Sequence, residues 1–221
     1  MRWYNDDMQE RRLTPIDRLL AGIGDALQTI AVPASRSARP NPAEGIDEGE
    51  LDARQKTHAA GLMRVNHAGE IAAQGLYQGH AAVARDKGIS AQMQQAADEE
   101  YDHLAWCEQR LSELDSGPSK LNPIWYAGSF AIGAASGLFG DKWSLGFIAE
   151  TEKQVCEHLT GHLHRLPDDD ERSRAIVKQM REEEQQHGDD ANQAGAAELP
   201  RQVKDLMRLT SKIMTKTAYR V

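Results

Sequence analysis

One phrase occurs twice in this 221-residue chain and limits what it can fold into more than any other feature. Glu100-Tyr101-Asp102-His103 and Glu184-Gln185-Gln186-His187 each place a carboxylate three residues before an imidazole. On an α-helix, residues at i and i+3 share a face, so each pair can close on one metal ion. Each phrase also has a solitary glutamate about 30 residues upstream, Glu70 for the first and Glu152 for the second. The ordered pattern Glu…Glu-x-x-His thus repeats after about 80 residues, the spacing of a duplicated helical hairpin.

A Glu on each of two helices and a Glu-x-x-His on each of the other two is the ligand set of four-helix di-metal carboxylate bundles. The remaining signals agree. A helix is expected from about Leu51 to Arg85, closed by Gly88. A second runs from near Ser90 to Leu114, stopped by Ser116-Gly117-Pro118. A third runs from about Lys142 to Leu166 and a fourth from the acidic stretch Asp168-Asp169-Asp170 to about Gly195. Sustained period-two alternation is missing, so no strand is expected and the fold class is all-α.

Position on these helices separates ligands from surface charge. Around Glu152 the residues three, four and seven away include Leu145, Ile148, Val155 and Leu159. Glu100 and His103 share a face with Met93, Ala97, Cys107 and Leu111, and Glu184 and His187 with Ile176, Val177, Met180 and Ala191. Core residues belong on such stripes, and an unpaired carboxylate placed there protonates instead. Four acids facing one another are neutralised by two divalent cations, with His103 and His187 as neutral ligands. Carboxylate with imidazole suits Fe or Mn better than Ca or structural Zn. Glu70 has semipolar neighbours, His67, Gln74 and Tyr77 among them, which suits a pocket-lining helix or a partly exposed one. His158, six residues past Glu152, reads as a relay near the site or as a surface residue beside Glu157, and His67 as an orienting group. His162 and His164 read as surface. So do Glu99, Glu108, Glu150, Glu157, Glu182 and Glu183, which fall off the apolar stripes.

Residues 121–140 carry no charged side chain. Four glycines, Asn122, Pro123 and two serines dilute the stretch too far for a convincing span. It reads as a crossover helix in a membrane interface, with Trp125, Tyr126 and Trp143 at headgroup level, or else as a buried connector in an oligomer. A last helix, about Glu198 to Tyr219, mixes Arg201, Lys204, Arg208, Lys212 and Lys216 with Leu206, Leu209 and Ile213. It can meet an anionic lipid surface or pack on the bundle. Before the bundle, residues 14–30 look helical with Thr14 as cap, and 31–47 reads as an extended, mobile linker. Residues 1–50 are therefore set apart from a bundle at 51–221. The N-terminus shows no apolar signal core, and Cys107 and Cys156 form no framework, so a reducing, intracellular setting is expected. The net charge of -8 excludes broad attraction to nucleic acid.

With Asn66-His67-Ala68-Gly69-Glu70, the two Glu-x-x-His phrases, Glu152 and the Gly-rich stretch after Asn122-Pro123-Ile124-Trp125, the chain resembles the demethoxyubiquinone hydroxylases of ubiquinone biosynthesis over about 50–221. That resemblance implies a ferritin-like bundle with an added interface crossover helix and a C-terminal helix. It implies two iron ions (Fe2+) held by Glu70, Glu100, His103, Glu152, Glu184 and His187, with Tyr77 and His158 near the site. The implied reaction is O2-dependent hydroxylation of a demethoxy polyprenyl benzoquinol (2-polyprenyl-3-methyl-6-methoxy-1,4-benzoquinol), one oxygen atom going to the ring and the other to water. The implied setting is peripheral, on the cytoplasmic face of the inner or cell membrane, as a homo-oligomer or with other quinone-biosynthesis enzymes. No Gly-x-Gly-x-x-Gly fingerprint is present, so the reductant is expected to come from the quinol, a mediator or a partner. A ferritin-like iron oxidase or store, or a Mn bundle, is the rival reading of the same ligands.

Overall fold

A computed structural model describes residues 37–83 and 87–221, together with Gly24 and Thr29. Among the described residues there are six helices and no strand: α1 (Ala53–Val83), α2 (Lys87–Glu113), α3 (Asn122–Leu138), α4 (Asp141–Leu163), α5 (Glu171–Gln193) and α6 (Arg201–Ala218). The chain is all-α. Of the helix expected over 14–30, Gly24 and Thr29 are described and are helical, and the rest lies outside the described residues.

Local chemistry sets the helix ends. Asp52 caps α1 reciprocally: its Oδ1 accepts from the Gln55 amide at 2.8 Å, and Gln55 Oε1 accepts from the Asp52 amide at 2.9 Å. Asp170 caps α5 by accepting from the Ser173 amide at 3.0 Å. Gly195, at φ 96°, closes α5, and Gly140, at φ 115°, separates α3 from α4. Gly88 falls in the first turn of α2, not between the helices as expected.

α1 packs on α2 and α4 on α5, two hairpins that face each other. Two apolar layers fill the space between them. One holds Leu62, Met63, Trp106, Leu111, Leu159, Ile176 and Met180, and the other holds Ala73, Leu76, Tyr77, Ala97, Leu145, Ile148 and Ala191. Each of the four helices contributes to both layers and carries its acid between them. The site is thus a polar plate inside a hydrophobic core.

α3 lies along the outer side of α1. The approach is close enough to require glycine: a Cβ on Gly75 would stand 2.5 Å from the Tyr126 carbonyl oxygen, and one on Gly133 would strike the Leu76 carbonyl. With its small face used in this way, α3 turns Ile124, Ile132 and Leu138 outward, followed by Phe139 and Trp143. α6 touches the bundle mainly near its C-terminal end, where Ala218 is buried, and leaves Leu206, Leu209 and Ile213 exposed on one face. No helix among the described residues is long and apolar enough to cross a membrane.

Residues 37–48, placed by sequence mostly in a linker, are tied to the bundle. Ala43 is fully buried, Arg39 pairs with Asp102 and Glu183, and Glu48 takes two bonds from the buried Arg110 at 2.6 and 2.9 Å. Asp170, Glu113 and Ser173 supply the remaining partners of that guanidinium.

Candidate metal centre

The polar plate is built from one turn of each bundle helix. Donor atoms of Glu70, Glu100, His103 and Glu184 all lie within 4.8 Å of one another, and all four residues are buried. Glu100 and Glu184 stand between the two imidazoles. His103 Nδ1 is 3.0 Å from Glu100 Oε2 and 3.2 Å from Glu184 Oε1. His187 Nδ1 is 3.2 Å from Glu100 Oε1 and 3.5 Å from Glu184 Oε2. Each of these two carboxylates therefore offers one oxygen to either half. Glu70 closes the His103 half, with Oε2 at 3.8 Å from Nδ1. On α4, Glu152 is buried, and its Oε1 accepts from the Tyr77 hydroxyl at 2.7 Å.

Several of these atoms have no protein partner. Glu100 Oε1, Glu152 Oε2, Glu184 Oε2 and His187 Nδ1 are buried without a hydrogen bond, although His187 Nδ1 approaches Glu100 at 3.2 Å. Native interiors leave few such atoms, and four converging on one plate fit a metal site. Charge says the same. Burial, with repulsion from neighbouring carboxylates, pushes Glu70 and Glu152 well above the usual carboxylate range. Burial acts the same way on Glu100, but the charge and hydrogen bond of His103 outweigh it and hold Glu100 well below that range. Glu184, buried and beside Glu100, is lowered by the adjacent His103 and His187 imidazoles. Burial opposes charge on the imidazoles too, yet Glu100 lifts His103 well above its ordinary value, and the nearby Glu100 and Glu184 carboxylates push His187 up to about 12. Two acids, two carboxylates and two imidazoliums make a neutral set. Four carboxylates, two imidazoles and two divalent cations are equally neutral, so metal replaces protons at no cost in net charge.

The outer nitrogens of both histidines are held by acids expected on the surface. His103 Nε2 donates to Glu183 Oε2 at 2.7 Å, and His187 Nε2 donates to Glu99 Oε2 at 2.8 Å. The pairing is crosswise: each phrase is really Glu-Glu-x-x-His, and the first Glu of one orients the His of the other. That leaves Nδ1 of both rings turned to the plate. Glu150, also expected on the surface, is buried and sits 3.8 Å from Lys204 and 3.7 Å from Arg208 of α6. His162 is buried as well, its Nδ1 2.7 Å from Asn66 Oδ1, because α1 covers that end of α4. His67 is buried against Asn122. His158 is half-buried, with Glu157 and His162 as its charged or polar neighbours, and takes no part in the bonds around the plate.

Two cavities reach the centre. A cleft of about 760 Å³ runs between α4, α5 and the stretch 196–204 and ends on Glu152 and Glu184. A smaller one of about 190 Å³ touches Tyr77, Ile148, His187 and Ala191. α3 lines neither. Just beyond it on α4, Gly146 reaches the larger and Ile148 the smaller.

Residues 57–218 match the family described as ubiquinone biosynthesis protein COQ7. Among similar curated proteins, the 3-demethoxyubiquinol 3-hydroxylase of Chromobacterium violaceum is 53% identical over 206 residues, covering 93% of this chain and 100% of that protein. The enzyme of the same name from Ralstonia pickettii is 52% identical over 217 residues, with 93% and 100% covered. That of Xanthomonas oryzae is 55% identical over 210 residues, with 94% and 95% covered. A match over most of the chain, carried by a helical bundle whose four central helices converge on the acids and imidazoles that sequence singles out, has one meaning: the chain belongs to the COQ7 family of ubiquinone biosynthesis proteins.

Proposed function

We propose that this protein is a 3-demethoxyubiquinol 3-hydroxylase working as a di-iron, O2-dependent monooxygenase. The observation that carries the reading is the crosswise pair of Glu-Glu-x-x-His phrases, with Glu70 clustered on Glu100, His103 and Glu184, and Glu152 buried beside Glu184. Glu70, Glu100, His103, Glu152, Glu184 and His187 would hold two irons, Glu100 and Glu184 being shared between the halves. When bound, the irons would relay electrons from the reductant and activate O2, chemistry that no side chain supplies.

The protein's own groups do the rest. Glu183 and Glu99 fix the imidazoles so that Nδ1 faces inward. The Tyr77 hydroxyl holds Glu152 by one oxygen and keeps a proton at that atom, since burial and Glu152 raise it well above the ordinary phenol range. The apolar layers on either side keep bulk water from the plate. Glu152 and Glu184, at the floor of the larger cleft, are the ligands an incoming quinol ring would meet first. Outward apolar side chains on α3 and α6, beside the lysines and arginines of α6, support a peripheral seat on the cytoplasmic face of a membrane, where a polyprenyl substrate resides.

The test is turnover of anaerobically iron-loaded protein with a polyprenyl methoxybenzoquinol, a reductant and O2, read by mass spectrometry. The expected product is heavier by one oxygen atom and is lost in Glu152→Ala. Iron-loaded, folded protein that leaves the ring unchanged would overturn the hydroxylase reading in favour of an iron oxidase.

A further inference from the structure

We propose that Arg39 is a positioning residue of the metal centre that acts through Glu183, tempering His103 as a ligand and making the two halves of the site unequal. The inference rests on the di-metal reading above. Arg39 precedes the residues matched by the family and lies in the stretch that sequence assigns to a linker.

The geometry is specific. Arg39 Nη1 and Nη2 donate to Glu183 Oε1 and Oε2 at 2.7 and 3.0 Å, a two-bond fork that lysine cannot reproduce. Its Nε donates to Asp102 Oδ2 at 2.5 Å, and the guanidinium lies 4.9 Å over the Trp106 ring. Asp102 is anchored in turn by the Ala38 amide at 2.8 Å and the Ser37 hydroxyl at 3.0 Å. The oxygen that takes Nη2, Glu183 Oε2, is the one that accepts from His103 Nε2.

Among the described residues, the His187 half has no such arrangement. There Glu99 accepts from His187 and, on its other oxygen, from Gln95 Nε2 at 3.0 Å, a neutral donor. A carboxylate that pulls on the outer N–H of an imidazole makes the inner nitrogen a stronger donor to metal. A guanidinium on that carboxylate shares its charge and weakens the pull. It also places positive charge behind the ligand. Glu183 does not depend on Arg39 for its position, because Gln179 Nε2 and His103 Nε2 both hold it, at 2.6 and 2.7 Å. Removing the arginine therefore removes charge more than it removes order.

The experiment is anaerobic titration of the full-length apo-protein with Co2+, reading affinity and the visible d–d spectrum, alongside the melting temperature of the apo form. Wild-type protein should take two ions in unequal steps. Arg39→Gln, which keeps a side chain over Trp106 but not the charge, should tighten the weaker step about tenfold and shift its spectrum, leaving the other step in place. Glu183→Gln should weaken the same step by about 10–100-fold, and Arg39→Gln added to it should have less effect than in wild type. A merely structural brace would lose affinity in both single variants, so weaker or unchanged binding in Arg39→Gln overturns the proposal. If that variant does not fold, unchanged Co2+ binding by Glu183→Gln overturns it instead. Wild-type protein that binds no Co2+ overturns the metal reading itself.

Discussion

A carboxylate with no solvent exposure is among the costliest groups a fold can hold, and Glu100 is one. Its cost is offset by two imidazoles, His103 one turn along the same helix and His187 across from α5, and metal would offset it further. The opposite bargain is struck at His162, buried and hydrogen-bonded to Asn66, which burial pushes down to about 3. A histidine kept neutral by the fold stabilises fully above its unfolded value of 6.5, and that contribution is lost as pH falls from there toward 3. Between pH 7 and pH 5 the loss is about 2 kcal/mol. His162→Gln should therefore show a smaller drop in melting temperature over that interval than wild type. Parallel curves would show that His162 is not the source. Glu100, His103, Glu184 and His187 were legible in the sequence because i, i+3 spacing and apolar neighbours are local properties. Glu99 and Glu183 were not, because each lies one residue off the stripe and its partner is on another helix. The visible trace of their role is the doubled glutamate at both phrases.

At the scale of elements, the repeated hairpin is what puts one turn of each of α1, α2, α4 and α5 at the same height. α3 and α6 add nothing to the plate and instead carry apolar side chains into solvent. The sequence shows that 121–140 is uncharged and rich in glycine, which favours an interface helix over a buried connector. The structure shows how both properties are used: glycines meet α1, and Ile124, Ile132 and Leu138 face out. On α6, Leu206, Leu209 and Ile213 fall at spacings of three and four, one stripe flanked by Arg208 and Lys212. If that stripe seats the protein on lipid, co-sedimentation with anionic vesicles should fall at least about tenfold in Leu209→Glu/Ile213→Glu, with helical content unchanged, since each change removes about 1.5–3 kcal/mol of apolar burial and adds a repelled charge. Equal sedimentation of variant and wild type would remove α6 from the membrane contact.

For the molecule as a whole, the bundle is a frame that holds a neutral but internally strained set of charges between two apolar layers. Its N-terminal stretch is part of that frame: Glu48 reaches Arg110 at one end, and Arg39 reaches the acids behind His103 at the other. Sequence does not reveal this, because Arg39 and Glu48 meet their partners across 60 or more residues and no periodicity links them. The most direct measurement is the iron content of full-length protein loaded with Fe2+ without oxygen and then desalted. Two irons per chain are expected, falling to one or none in Glu184→Ala, with melting temperature raised by metal more in wild type than in the variant. Folded wild-type protein that retains no iron, or a Glu184→Ala variant that still holds two, would contradict the assignment of the buried acids as metal ligands.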